Sequence, residues 1–291
     1  MYATKTLRHS TVAVCTFALF NLSAHATDID AGDYDYAPSG TNLALLYYQH
    51  ANRDALYQGS DKVAGKNELT SDIGIARYVH YMDMGGIQIA PQILVPFGRL
   101  EAGKDISSMG SSSGIGDVIL ANAFFLYHNA ESKSQWGITP YLYLPTGQYS
   151  KHDDINLGEN RFKLTLQSAY TTRITPKLAV DVAGDFTVYG KNDDARGGTL
   201  KQDVGYQLQA NTRYFLNDQL DLRAGVSYSD AGKSKLDGIE SASTKQSKFW
   251  LGTAYSPTPA TSVILAYGRD IDVENGFKED NRINLRLMYA F

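Results

Sequence analysis

Past residue 40 the sequence falls into twelve stretches in which apolar and polar side chains alternate every second residue, and the gaps between them alternate as well. The stretches run over 41–51, 68–82, 87–97, 114–129, 136–146, 160–172, 177–189, 202–215, 220–230, 246–255, 261–270 and 281–291. Residues 52–67, 98–113, 147–159, 190–201, 231–245 and 271–280 form long polar gaps rich in Gly, Asp, Lys and Ser, whereas 83–86, 130–135, 173–176, 216–219 and 256–260 are short. Period-two alternation predicts strands with one greasy and one wet face. Strict long–short alternation of the gaps predicts an antiparallel up-and-down barrel, tight turns at one end and large loops at the other, with an even strand number bringing both termini to the same end. No segment sustains the three-and-four spacing of a helix.

Which face meets the outside follows from barrel width. In the last stretch, Ile283, Leu285, Leu287, Tyr289 and Phe291 share one phase, and Arg282, Asn284, Arg286, Met288 and Ala290 the other. About eight strands already leave just enough room for side chains to fill a barrel, so twelve apolar faces turned inward would enclose a wide dry hole. Turned outward, they meet hydrocarbon, and the polar phase lines a wet lumen. The same division separates Phe162, Leu164, Leu166 and Tyr170 from Arg161, Lys163, Thr165 and Gln167. It also sets Tyr206, Leu208, Ala210 and Tyr214 against Gln207, Gln209, Asn211 and Arg213, and Leu178, Val180, Val182, Phe186 and Val188 against Asp181 and Asp185. Aromatic rings mark two heights: Tyr127, Trp136, Tyr170, Tyr214, Tyr255 and Tyr289 near short turns, and Phe97, Tyr189, Tyr206, Tyr228 and Tyr267 near long gaps. Amphipathic rings suit membrane interfaces.

The start of the chain agrees. Lys5 and Arg8 precede a mostly apolar run from Thr11 to Leu22, and Ala24-His25-Ala26 offers the small residues of a signal-peptide cleavage site, so residues 1–26 are expected to be removed on export. Cys15 lies inside that run, which leaves the mature chain with no thiol for a disulfide, a nucleophile or a metal site. Nothing later approaches the roughly 18 uninterrupted apolar residues of a helical span. Without Lys5 and Arg8 there are 25 basic and 31 acidic side chains, a net charge of −6 that argues against a nucleic-acid partner. Residues 27–40 carry Asp28, Asp30, Asp33 and Asp35 and are expected to form an acidic leader, disordered in the periplasm or, less simply, a small plug entering the barrel from below. The barrel proper then spans 41–291, in the outer membrane of a Gram-negative bacterium with both termini periplasmic. Its terminal Phe291 resembles the C-terminal signal by which such barrels are presented to their assembly machinery.

Chemistry-bearing motifs are sparse. Gly114-Ile115-Gly116-Asp117 lacks the third glycine of a dinucleotide fingerprint and leads into a strand, and Gly232-Lys233-Ser234 has Ser227 where a phosphate-binding loop needs its first glycine. Catalysis on the barrel wall needs a histidine within reach of a serine, and the mature chain offers His50, His80, His128 and His152, of which only His152 follows a nearby serine, Ser150. No histidines are paired at metal-ligand spacing. No catalytic residue, cofactor or metal is therefore expected. A repeated proline pattern stands out more: Pro91 to Gly98 and Pro140 to Gly147 share the form P-x-x-x-x-P-x-G. Proline cannot donate to a ladder, so Pro91, Pro96, Pro140 and Pro145 either kink and weaken the wall, opening a side path for an apolar solute, or simply stop their strands near the rim.

Several blocks together resemble the MetA-type outer-membrane transporter family named for the meta-pathway of phenol degradation: "PSGTNLALLYYQHA" (38–51), "PQILVPFG" (91–98), "GIGDVILANAFFLYH" (114–128), "YLYLPTGQY" with "LGENRFKL" (141–164), "QDVGYQLQANTRYFL" (202–216) and the terminal strand. The resemblance implies a barrel associated with uptake of aromatic or other hydrophobic compounds and supplies no catalytic motif. The expected protein is a monomeric transmembrane β-barrel channel for small-molecule solutes, embedded in outer-membrane lipid. Its pore-lining candidates are Arg161, Lys163, Asp181, Asp185, Gln209, Arg213, Arg223, Lys248, Arg282, Asn284 and Arg286. The rival readings are a lipid-modifying hydrolase on the wall and a structural or adhesive barrel whose lumen charges pair and close it.

Overall fold

In residues 205–215 burial alternates residue by residue, but with the chemistry reversed from that of a soluble strand: Gln207, Gln209, Asn211 and Arg213 are buried, while Tyr206, Leu208 and Tyr214 are exposed. The same inversion recurs around a closed wall. The structure, a computed structural model, describes residues 28–291, so the expected signal peptide lies outside the described residues. The barrel strands are β1 (Asn42–Gln58), β2 (Asn67–His80), β3 (Ile87–Lys104), β4 (Ile119–Asn129), β5 (Ser134–Tyr143), β6 (Lys163–Thr175), β7 (Leu178–Tyr189), β8 (Gly205–Phe215), β9 (Leu220–Asp230), β10 (Lys245–Thr258), β11 (Thr261–Glu274) and β12 (Phe277–Ala290). Each pairs antiparallel with its sequence neighbours, and β12 pairs with β1 from Leu43–Ala290 to Leu56–Phe277, so the twelve-stranded wall closes on itself. Phe291 completes the seam by exchanging backbone hydrogen bonds with Asn42 at 3.0 and 2.9 Å.

Apolar side chains fill the outer face: Leu208, Leu251, Leu265, Val226, Ile283 and Leu287 are exposed, as are Tyr127, Tyr214, Tyr255 and Tyr289 toward the short turns. Lys248, Arg282, Gln167 and Asn211 are buried on the inner phase. An apolar surface this extensive would drive aggregation in water and is matched to hydrocarbon instead. Tyr189 departs from the expected girdle: it shares the inner phase of β7 with Asp185, and Arg161 lies 4.7 Å from its ring centre.

Long and short connections alternate as expected except at the last. Residues 271–280 are not a loop; β11 and β12 run on and turn at Asn275–Gly276. Asn275 takes a φ of 53°, a left-handed conformation that asparagine tolerates. Its side chain ties the turn to its neighbours, accepting the Gly59 N–H at 2.7 Å and donating to the Ser243 carbonyl at 3.0 Å. Likewise β1 runs on to Gln58 and β3 to Lys104, so these gaps are partly strands that stand above the apolar belt. The connections β7–β8 and β9–β10 contribute Asn192–Ala195, Gly198–Gln202, Ser234–Leu236 and Ile239–Ser241 to a separate four-stranded sheet at the same end.

Candidate functional site

The lumen is occupied by residues 28–38. After Gly40, whose N–H donates to the Tyr81 carbonyl at 2.7 Å, the backbone leading into β1 is anchored at the short-turn end, and residues 28–38 lie inside the wall. Ile29, Ala31 and Tyr34 are buried there. Of the two arrangements expected for this acidic leader, disordered outside or entering the barrel from below, the segment takes the second. The physical reason is electrostatic: four carboxylates find a ring of inward cations, which a composition-based reading of the leader cannot see. Two turns compact the segment, with Asp33 N–H to the Asp30 carbonyl and Asp35 N–H to the Gly32 carbonyl, both 3.0 Å. Gly32 sits at φ +92°, and a Cβ there would collide with the Arg213 guanidinium, so both the turn and the close approach require glycine.

Each leader carboxylate has a cation partner. Asp28 lies 3.2 Å from Lys248 and 3.6 Å from Arg282. Asp30 and Asp33 share Arg286, at 2.9 and 2.5 Å, and Asp33 also faces Arg77 at 3.5 Å. Asp35 receives a forked pair from Arg213, 2.5 and 2.8 Å. Arg223 donates to the Ala31 carbonyl at 2.7 Å and Gln209 accepts the Ile29 N–H at 3.0 Å, while Asn211 donates to the Ile29 carbonyl at 3.1 Å. The Tyr34 hydroxyl hydrogen-bonds Thr139 at 2.6 Å. Burial pushes the Asp30 carboxyl up from its ordinary value, against the pull of Arg286. Burial also works to raise Asp33, but Arg286 and Arg77 outweigh it and hold that carboxyl below its ordinary value.

Other lumen candidates pair within the wall. Asp181 accepts from the Thr171 hydroxyl and lies 3.6 Å from Arg213; Asp185 accepts from Gln167 at 3.4 Å. Arg223 is forked on Asp221 at 2.6 and 2.9 Å. Arg282 also faces Glu279 at 3.5 Å, and Asn284 stands on the same strand opposite Gln49 of β1. Arg161 sits just outside β6, in the connection 144–162, where it and Lys163 share the carboxylate of Glu159. Of the eleven candidates, Gln209, Arg213, Arg223, Lys248, Arg282 and Arg286 gather around the leader, Arg161 and Lys163 belong to the opposite mouth, and Asp181, Asp185 and Asn284 stand on the wall between wall neighbours. Arg77, Arg53 and Glu279 were not anticipated. Arg53 and Glu279 pair at 2.5 Å, and their signal was strand periodicity continuing into stretches read as loop.

At the long-connection mouth, the segment 144–162 folds over the barrel. Ile155 is buried among Leu56, Leu69, Ile73, Leu100 and Phe277, an apolar patch on the inner phase of β1, β2, β3 and β12. Asp117 pins this segment by accepting the N–H groups of Gly147 and Glu159, each at 2.9 Å, and burial pushes its carboxyl up from the ordinary value. Of the four prolines, Pro96 does not stop its strand, since β3 continues to Lys104 with Pro96 paired to Ile75 of β2. Pro91 pairs with Asn122 of β4 and Pro140 with Leu166 of β6. The β4–β5 ladder nonetheless lapses between Ala121–Tyr141 and Phe124–Ile138, the stretch containing Pro140. Pro145 follows β5, where Leu144 N–H still reaches the Val118 carbonyl at 2.9 Å.

Among the described residues, the four histidines have partners other than a serine hydroxyl acting on the ring. His50 Nδ1 pairs with Asp72 at 2.8 Å, His80 Nδ1 with Asn42 at 2.9 Å, and His128 stacks on Tyr36 at 4.2 Å; His152 meets Ser150 through its backbone N–H. Below the leader, at the short-turn end, lies a cavity of about 520 Å³ bounded by both leader and wall.

An apolar-coated barrel with a charged interior that holds residues 28–38 defines an outer-membrane channel. Residues 51–287 match the family described as "Putative MetA-pathway of phenol degradation", and the chain belongs to that family. The COG4313 outer membrane channel from Pseudomonas putida F1 is 35% identical, covering 91% of this chain and 100% of that one with a TM-score of 0.87. Two more distant structures share the fold alone. One is the β domain of the Bordetella autotransporter BrkA, 8% identical over 87% of this chain and 100% of that one, with a TM-score of 0.52. The other is a mutant of the TodX monoaromatic hydrocarbon channel, 9% identical over 87% and 91%, with a TM-score of 0.51. A search of curated proteins gives no match.

Proposed function

We propose that this chain is a non-enzymatic channel that admits small solutes, aromatic or otherwise hydrophobic compounds among them, with both termini on the periplasmic side and the leader acting as a displaceable plug. The observation that carries this reading is the division of partners among the lumen cations. Lys248, Arg286, Arg77 and Arg213 reach to carboxylates on a tethered segment, so undocking the leader leaves a cation-lined passage. A permanently closed structural barrel has no need of a removable counter-charge. Charge rings of this kind set ion preference. Single-channel recording in planar bilayers tests the proposal: wild type is expected to conduct in brief openings, and Arg286→Glu to shift ion preference toward cations. Silence of both proteins under every voltage and salt condition would return the reading to a structural barrel or an enzyme.

The lapse in the β4–β5 ladder supports a second path, a sideways exit at Pro91, Pro96, Pro140 and Pro145 for apolar solutes. Amide exchange tests it, since equal protection of β3–β5 and β6–β9 would remove the case for a weak wall. For assembly, the paired and outward-facing Phe291 supports recognition of the last strand by the barrel-assembly machinery, and Phe291→Ser is expected to lower the amount of folded barrel in the outer membrane.

A further inference from the structure

The cavity under the leader has features of a ligand site, and its most exchangeable element is the Asp35–Arg213 pair. Arg213 belongs to the wall and its side chain is only 7% exposed, whereas the Asp35 side chain is 51% exposed and rides on the tethered leader. The two are joined by a forked pair of N–H···O bonds, the geometry with which a guanidinium recognises any carboxylate. The other cations bordering the space are held by less exposed partners: Arg77 and Arg286 by Asp33, and Arg223 by Asp221. Arg213 itself also faces a looser second anion, Asp181, at 3.6 Å. Next to it the wall supplies apolar surface from Leu43, Val79, Phe215, Leu220 and Met288. At about 520 Å³ the space falls within the usual size of small-molecule pockets, roughly 300–1,000 Å³.

We propose that this cavity binds small carboxylates with an apolar body, aromatic monocarboxylates above all, and that the bound carboxylate takes the place of Asp35 on Arg213 and so loosens the leader. Asp35 is in effect a built-in competitor: it keeps the guanidinium paired when no solute is present and yields to a free carboxylate whose ring gains the apolar wall. Solute binding and unplugging are then one event at one arginine. The site rests on the reading of the chain as a solute channel, because only there does unplugging have a use.

Titration calorimetry on the mature protein in detergent, with sodium benzoate as the probe at fixed ionic strength, tests the site without requiring conduction. Benzoate is expected to bind saturably, acetate more weakly for want of a ring, and benzyl alcohol not at all for want of a charge. Asp35→Asn removes the competitor and is expected to tighten benzoate by about tenfold or more, the scale of one charge-assisted pair. Arg213→Gln is expected to abolish binding; should that variant fail to fold, Asp35→Asn and the benzyl alcohol comparison still decide. Absence of benzoate binding, an affinity unchanged in Asp35→Asn, or equal binding of benzyl alcohol would overturn the proposal. A barrel that conducts but gives no benzoate heat loses this site and keeps the channel, whereas one that binds benzoate yet never conducts loses the channel and keeps the site.

Discussion

Asp33→Asn is the cleanest probe of the plug, because it changes one oxygen for a nitrogen at a buried position shared by two arginines. Asp33 accepts from Arg286 at 2.5 Å and faces Arg77 at 3.5 Å, and its side chain is 12% exposed. A hydrogen bond to a charged group contributes about 1.5–3 kcal/mol net. Breaking a buried pair outright costs about 3–5 kcal/mol. Arg286 still keeps Asp30 at 2.9 Å, so the lower range applies. Taking ~2–3 kcal/mol, the docked-to-undocked ratio of the leader falls by about 30- to 150-fold. Residues 28–291 contain no cysteine, so Ala31→Cys, buried in the docked leader, gives the described part of the chain a single reporter thiol. Maleimide labelling of that thiol is expected to speed up by the same factor when Asp33→Asn is added. An unchanged labelling rate in a barrel that still resists heat and detergent would refute the idea that carboxylate–arginine pairing holds the plug.

Acidification should act in a defined window. Asp33 is held below the ordinary carboxylate value of 3.8, so its contribution to docking is complete above that value and is lost only as pH falls through the lowered one. Asp30 is raised, so its protonation on mild acidification relieves burial of charge and favours docking. Open probability is therefore expected to stay flat or fall from neutral pH down to the ordinary carboxylate range and to rise only beneath it; a steep rise near neutrality would contradict this. On the wall, Leu208→Lys puts a charge on the outer face and should destabilise the barrel by about 2–4 kcal/mol if near the bilayer midplane, measured by denaturant unfolding in lipid vesicles. Ile155→Asp places a charge among Leu69, Ile73 and Leu100, and should raise proteolysis of residues 144–162 without altering barrel melting.

Period two made the wall legible. In β8 every residue from Gln207 to Tyr214 takes the face its sequence phase assigns, because a strand offers only two directions and one of them is lipid. The sequence was silent where partners are remote. Nothing local in Asp28–Asp35 distinguishes a solvated acidic tail from a plug; the difference lies in Arg77, Arg213, Lys248 and Arg286, some 40 to 250 residues away along the chain. Local charge also misled at 271–280, where Glu274, Lys278 and Asp280 read as loop although the backbone stays in strand to Glu274, paired with β10, and resumes at Phe277, paired with β1. Tyr189 failed for a related reason: aromatic type suggested the interface, but its parity with Asp185 had already placed it inside.

The plug's anchors also tie it to the closure of the wall. Residues 28–40 are the first of the described chain, yet their ionic partners sit on β2, β8, β10 and β12, and β12 closes the seam against β1. A half-made wall offers the leader only Arg77. The full set of pairs is therefore present only where β12, which carries Arg282 and Arg286, lies against β1, so the segment's ion pairs and the closure of the wall draw on the same strand.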